Sequence, residues 1–197
     1  MRHPRPRGGA GIRDLISRRR FLVASAGLAL WPLVRPALAA PRTRRFAAGD
    51  AISPELAAAL DKSPFVYVSP LRANGEESTC HAEVWFGWLD GAVHLTTAAK
   101  SWKARAVARG LTRARLWVGD HGRWKQIVGR NESFRTAPSF VARACVVKDA
   151  AVLERLLSVY ARKYPDEIAT WGPRMRAGQA DGTRLLLRYA PEPAART

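Results

Sequence analysis

The chain has 197 residues, with 33 Lys and Arg against 16 Asp and Glu, a formal net charge of +17 and two cysteines. That length fits one domain with a sizeable core beside a terminal extension. Four histidines, at 3, 81, 94 and 121, fall at no metal-ligand spacing, and neither cysteine belongs to a C-x-x-C.

The amino terminus reads as a signal. Residues 1–20 hold seven arginines and one acid, Asp14; an apolar stretch, Phe21 to Val34, follows and leads to the small-residue site Ala37-Leu38-Ala39. Ser17-Arg18-Arg19-Arg20-Phe21-Leu22 resembles the twin-arginine signature, with Arg18 and Arg19 as its pair. This predicts a signal over 1–39, export of an already folded chain to the periplasm or beyond, and the twin-arginine machinery as a partner. Eight of the basic residues and one acid lie in that segment, so the remainder carries +10. Its closest basic cluster is Arg42, Arg44 and Arg45, and with no dense basic tract no nucleic-acid partner is expected.

After a leader at 40–52, a domain is expected over 53–191, with a tail at 192–197. Ser53 as N-cap and Pro54 at the first helical position open a short helix to about Asp61. Phe65 to Ser69 reads as a strand, and Arg72 to Ser78 as a polar loop with an Asn-Gly turn. His81 to Trp88 and Ala92 to Thr97 then form a hairpin about Asp90-Gly91. Alternation sets Ala82, Val84, Phe86 and Trp88 toward an interior, and His81, Glu83, Trp85 and Gly87 toward the other face. Ala99 to Arg109 is helix-compatible and closed by Gly110. Thr112 to Val118 and Arg123 to Gly129 read as a second hairpin, and Ser139 to Val147 as a further strand. Asp149 caps a helix over Ala150 to Lys163 that should cover one barrel mouth; Asp166 to Thr170 adds a helical turn, and Thr183 to Tyr189 closes as a strand. Short-turned strands with helices at the ends describe an α+β domain on a small antiparallel barrel. Cys80 and Cys145 allow either one disulfide or two small buried side chains.

The chemistry converges where the second hairpin strand meets the helix. Thr96, Thr97 and Ser101 offer hydroxyls, and Lys103 and Arg105, with Lys100 nearby, offer charge for an anion such as a phosphate. The competing reading is that Lys100, Lys103, Arg105 and Arg109 decorate a solvated helix face. Trp85 is either a wall for a flat ligand or plain packing at a dimer interface, and His81 either a ligand contact or a solvent-facing strand residue.

The hairpin followed by T-T-A-A-K-S-W-K-A-R resembles the flavin-binding segment of the pyridoxamine 5'-phosphate oxidase-like split-barrel family, over roughly Ser63 to Pro191. The resemblance implies an α+β fold, a small antiparallel split β-barrel of the FMN-binding type with flanking helices. It implies an FMN-dependent oxidoreductase working as a homodimer on a small-molecule substrate or redox partner. The cofactor contacts implied are Glu83, Val84, Trp85, Thr96, Thr97, Ser101, Trp102, Lys103 and Arg105, with Trp171 and Arg188 as late contributors; no catalytic acid or base stands out. F420 or haem in the same fold, or a non-catalytic periplasmic binding protein that has lost its flavin, are the alternatives. The carboxy-terminal arginine-rich signature of the vitamin B6 enzyme itself is missing, so pyridoxamine phosphate oxidation is not expected.

Overall fold

The computed structural model describes residues 52–123 and 131–193. The expected signal and leader up to residue 51, most of the return strand Arg123 to Gly129 and the last four residues lie outside the described residues.

Helix α1 (Pro54–Lys62) starts as its sequence dictates, with the Ser53 hydroxyl accepting from the Leu56 amide at 3.2 Å. The strands are β1 (Phe65–Pro70), β2 (Ala82–Trp85), β3 (Gly87–Leu89), β4 (Ala92–Ala98), β5 (Arg113–Val118), β6 (Ser139–Val147) and β7 (Arg184–Pro191). Helix α2 (Trp102–Ala108) follows β4, while α3 (Ala150–Lys163) and α4 (Pro165–Ala180) separate β6 from β7. All seven strands pair antiparallel in the order β2-β1-β5-β6-β7-β4-β3. The two outermost strands, β2 and β3, are consecutive in the chain and separated only by Phe86. That continuity draws the sheet ends together, and the chain is an α+β split barrel, nearly closed, with four α-helices among the described residues.

The expected single strand His81 to Trp88 is thus two strands with different partners. At the break the Phe86 amide donates to the Tyr164 hydroxyl (3.2 Å), which in turn donates to the Pro64 carbonyl. A side chain from the end of α3 therefore satisfies a buried amide that leaves the ladder. The hairpin turn is as read: Asp90 and Gly91 have φ of 50° and 68°, the left-handed pair that a two-residue connection needs.

Alternation sorts the strands into two apolar layers. Val66, Val68, Phe86, Val93, Leu95, Leu116, Phe140, Leu187 and Tyr189 fill the barrel, with Val84 and Trp88 against them, as predicted for that face. Leu56 and Leu60 of α1 and Trp102 and Val107 of α2 pack on the same interior. They do so near Val118 and Ala114 respectively, so α1 and α2 close opposite mouths. This corrects the expectation for α3. With α4 it covers the outside of the sheet, where Leu153, Leu156, Leu157 and Tyr160 meet Leu186, Trp85 and Leu89. Gly87 makes that contact close: a Cβ there would fall 2.6 Å from the Leu156 Cδ1 atom.

Helix α4 runs on to Ala180, well past the expected turn. Gly172 and Pro173 read as helix breakers, but Met175 is buried in the α3 layer and Gly178 lets the Arg184 side chain lie against the helix, so packing overrides propensity. Cys80 and Cys145 are exposed and unbridged, which meets neither expectation for them.

Candidate functional site

The β4–α2 corner is built by a strand end, a three-residue link and a capped helix. Ser101 is the N-cap of α2: its Oγ accepts from the Ala104 amide at 3.3 Å and lies 2.9 Å from the Thr97 Oγ1. One hydroxyl of that pair donates to the other, which leaves a single hydroxyl proton to offer to a ligand. Arg105 stands one helical turn above Ser101, on the same side, and both it and Lys100, next to Ser101 in the chain, are exposed. The first turn of α2 carries no acid, and none of Lys100, Lys103, Arg105 and Arg109 forms an ion pair with a described carboxylate.

The structure disperses part of the predicted set. Thr96 and Thr97 are neighbours in β4, so they face opposite sides of the sheet. Thr97 is buried beside Ser101 and pairs across to Leu185, whereas Thr96 pairs with Leu186 on the outer face, its hydroxyl 3.4 Å from an Arg184 nitrogen. Lys103 follows Ser101 by two positions and is carried to the far side of the helix. It is 8% exposed and lines a small chamber at the barrel mouth whose walls include neither Thr97 nor Ser101. Burial holds its amine below the usual lysine range, and its Nζ lies 4.8 Å from the Trp102 ring centre.

Among the strand residues, Val84 packs into the barrel and Glu83 lies opposite Tyr67. Trp85 faces no open groove: it stacks on Tyr164 at 4.3 Å, with 8° between the planes, beneath α3. This packing lies within one chain rather than at a dimer interface. Arg188 pairs with His94 and Cys145 on the outward side of β7, and Trp171 is 38% exposed on α4 with the Arg174 guanidinium 5.3 Å from its ring. Neither belongs to the Thr97–Ser101 pair.

His81 is not solvent-facing. It is 4% exposed, its Nδ1 lies 2.7 Å from the Ser69 hydroxyl, and its Nε2 lies 3.3 Å from an Arg135 nitrogen. Arg135 and Arg115 both pair with Glu77, at 2.9 and 3.0 Å, while Phe134 stacks on Tyr67 above them. This network ties the loop before β2 and the 3-10 turn Ser133–Thr136 to the outside of β1 and β5. Sequence reasoning also gave no role to the Tyr164 hydroxyl or to Lys163, whose ammonium donates to the Leu60 and Ser63 carbonyls at 3.1 and 3.0 Å. Their only local signal is the proline that follows them in Lys163-Tyr164-Pro165.

No family model and no curated protein matches the sequence. Solved structures do. The chain is similar to HutZ, the heme storage protein from Vibrio cholerae, at 15% identity and a TM-score of 0.48, over 72% of this chain and 91% of that one. It is similar to a conserved hypothetical protein from Mycobacterium tuberculosis at 20% identity and a TM-score of 0.48, over 73% and 84%. A FAD-binding protein from Mesorhizobium loti gives 14% identity and a TM-score of 0.42, over 69% and 86%. The strand order and pairing described above, rather than these likenesses, define the fold. Among the described residues no cluster of His, Cys, Asp and Glu could hold a metal, and no helix is long and apolar enough to cross a membrane.

Proposed function

We propose that this chain is an exported flavoprotein, an FMN-dependent oxidoreductase of the pyridoxamine 5'-phosphate oxidase-like kind that seats the FMN phosphate at the β4–α2 corner. The observation that carries this reading is the charge balance there: a hydroxyl pair with a proton to give, beside cations that no described carboxylate neutralises. Ser101, Thr97, Lys100 and Arg105 would hold the phosphate, with Trp102, half-buried next to Ser101, as the apolar wall nearest to it. Trp85 does not fit as a ring platform, because Tyr164 already occupies its face. Bound FMN would supply the electron-transfer chemistry, and this chain would bind, orient and shield it. A second copy of the chain is the partner that would complete the pocket, as the family resemblance implies.

The test is optical. Native protein from the exported fraction should be yellow with flavin absorption; a deazaflavin spectrum or a Soret band would replace FMN with F420 or haem. A colourless protein that also fails to bind added FMN would favour a non-catalytic binding protein. Export is tested separately: Arg18→Lys with Arg19→Lys should leave the precursor in the cytoplasm, and continued export would remove the twin-arginine assignment.

A further inference from the structure

We propose that His94 is an acid-sensitive latch, and that a proton taken up by its imidazole loosens α3 from the β3–β4 hairpin. His94 lies on the outer face of β4, paired with Gly87 on one side and Arg188 on the other. Gly87 brings no side chain, Leu156 and Val159 of α3 close over it, and His94 beside it is 2% exposed. Its Nδ1 lies 3.3 Å from the Ala92 carbonyl, which can only accept, so Nδ1 carries the hydrogen and Nε2 the lone pair. A proton therefore enters at Nε2. Three charged groups act on the ring: Asp90 of the hairpin turn, Arg155 of α3 and Arg188 of β7. Beyond Arg188 the next residue on this face is Cys145 of β6, which is exposed.

The balance of those charges makes protonation disruptive. Asp90 is the one carboxylate of the three, and both its oxygens already accept from Arg155, at 2.8 and 2.9 Å, in the pair that ties α3 to the turn. Arg188 has no carboxylate partner among the described residues. An imidazolium there adds a third positive charge beside two arginines in a layer that excludes water. Either the charge stays unmatched under α3 or it draws Asp90 away from Arg155, and both outcomes weaken the same contact. Burial above all, and then the two arginines, hold the imidazole below its ordinary 6.5; the Ala92 carbonyl and Asp90 oppose them only in part. Above 6.5 the ring is neutral in folded and unfolded chains alike. Below it the unfolded chain takes up the proton first, so stability falls with pH until the folded ring is protonated as well.

The test follows the imidazole and the helix in the full chain, with or without a cofactor. NMR titration from about pH 8 to about pH 5 should place the His94 transition below the ordinary histidine value. Arg155→Met, which removes a cation and frees Asp90, should shift that transition upward, and Asp90→Asn should shift it downward. Over the acid part of the range, amide protection should fall across residues 150–157 ahead of β5 and β6, and His94→Gln should abolish that early loss. Should His94→Gln fail to fold, the shifts that Arg155→Met and Asp90→Asn give the native imidazole decide the matter. A transition at or above the ordinary value, one unmoved by Arg155→Met, or protection lost evenly over the domain would overturn the proposal.

Discussion

Two polar regions of this barrel use the same residue types to opposite ends. Over β1 and β5, Arg115 and Arg135 share the carboxylate of Glu77, Arg135 also pairs with Glu132, and His81 is held between Ser69 and Arg135. At the β4–α2 corner, Lys100 and Arg105 stand beside the Thr97–Ser101 hydroxyls without a described acid to pair with. The first array has its charges paired across neighbouring elements and fixes a loop. The second has no described acid to pair with, which is why we propose the anion-binding role there and not at the better-connected network. Counting partners, rather than charges, separates structure from site.

The largest expected effect breaks the corner alone. Lys100→Ala with Arg105→Ala should weaken FMN by about 1.5 to 3 kcal/mol per lost charge-assisted contact, roughly tenfold or more each, with melting unchanged. Isothermal titration measures it, and unchanged affinity would remove the phosphate seat. Next, Gly87→Ala should destabilise by about 1 to 3 kcal/mol, because its new methyl meets the buried Leu156. Urea unfolding checks this, and no loss would mean that α3 does not sit so tightly on β3.

Glu77→Gln is the mirror experiment. It should cost about 1 kcal/mol, since both arginines are more than a third exposed, and leave FMN affinity unaltered. Loss of FMN binding without loss of stability would merge the two regions into one site.

A third kind of cation sharpens the comparison, one held by two carbonyls and the face of the Phe86 ring. Burial lowers Lys163 from 10.5 to about 8 in the folded chain. Between those values the unfolded chain binds more protons, so Lys163 makes stability rise as pH increases through that window and contributes no slope below it. Lys163→Met should flatten the rise in urea midpoints, and an unchanged profile would deny the shift.

Much of the fold was legible because it rests on local chemistry. Ser53-Pro54, Asp90-Gly91, Ser101 and Asp149 each mark an element boundary that the structure keeps. What escaped was set by distant partners. Nothing near Phe86 announces that its amide will leave the ladder for Tyr164, 78 residues away, or that Met175 and Gly178 will carry a helix through Gly172-Pro173. The site was legible in composition but not in direction. Thr96-Thr97 and Ser101-Trp102-Lys103 are contiguous in sequence, yet strand alternation and helical rotation send Thr96 and Lys103 away from the hydroxyl pair.

Whether the β4–α2 corner is the anion seat that we propose, completed by an FMN phosphate, is decided by a fluorescence-quenching titration of the purified protein with FMN, run beside riboflavin, which lacks the phosphate. FMN should bind saturably and riboflavin much more weakly, and FMN binding should fade as salt is raised. Equal affinity for both, or none for either, would contradict it.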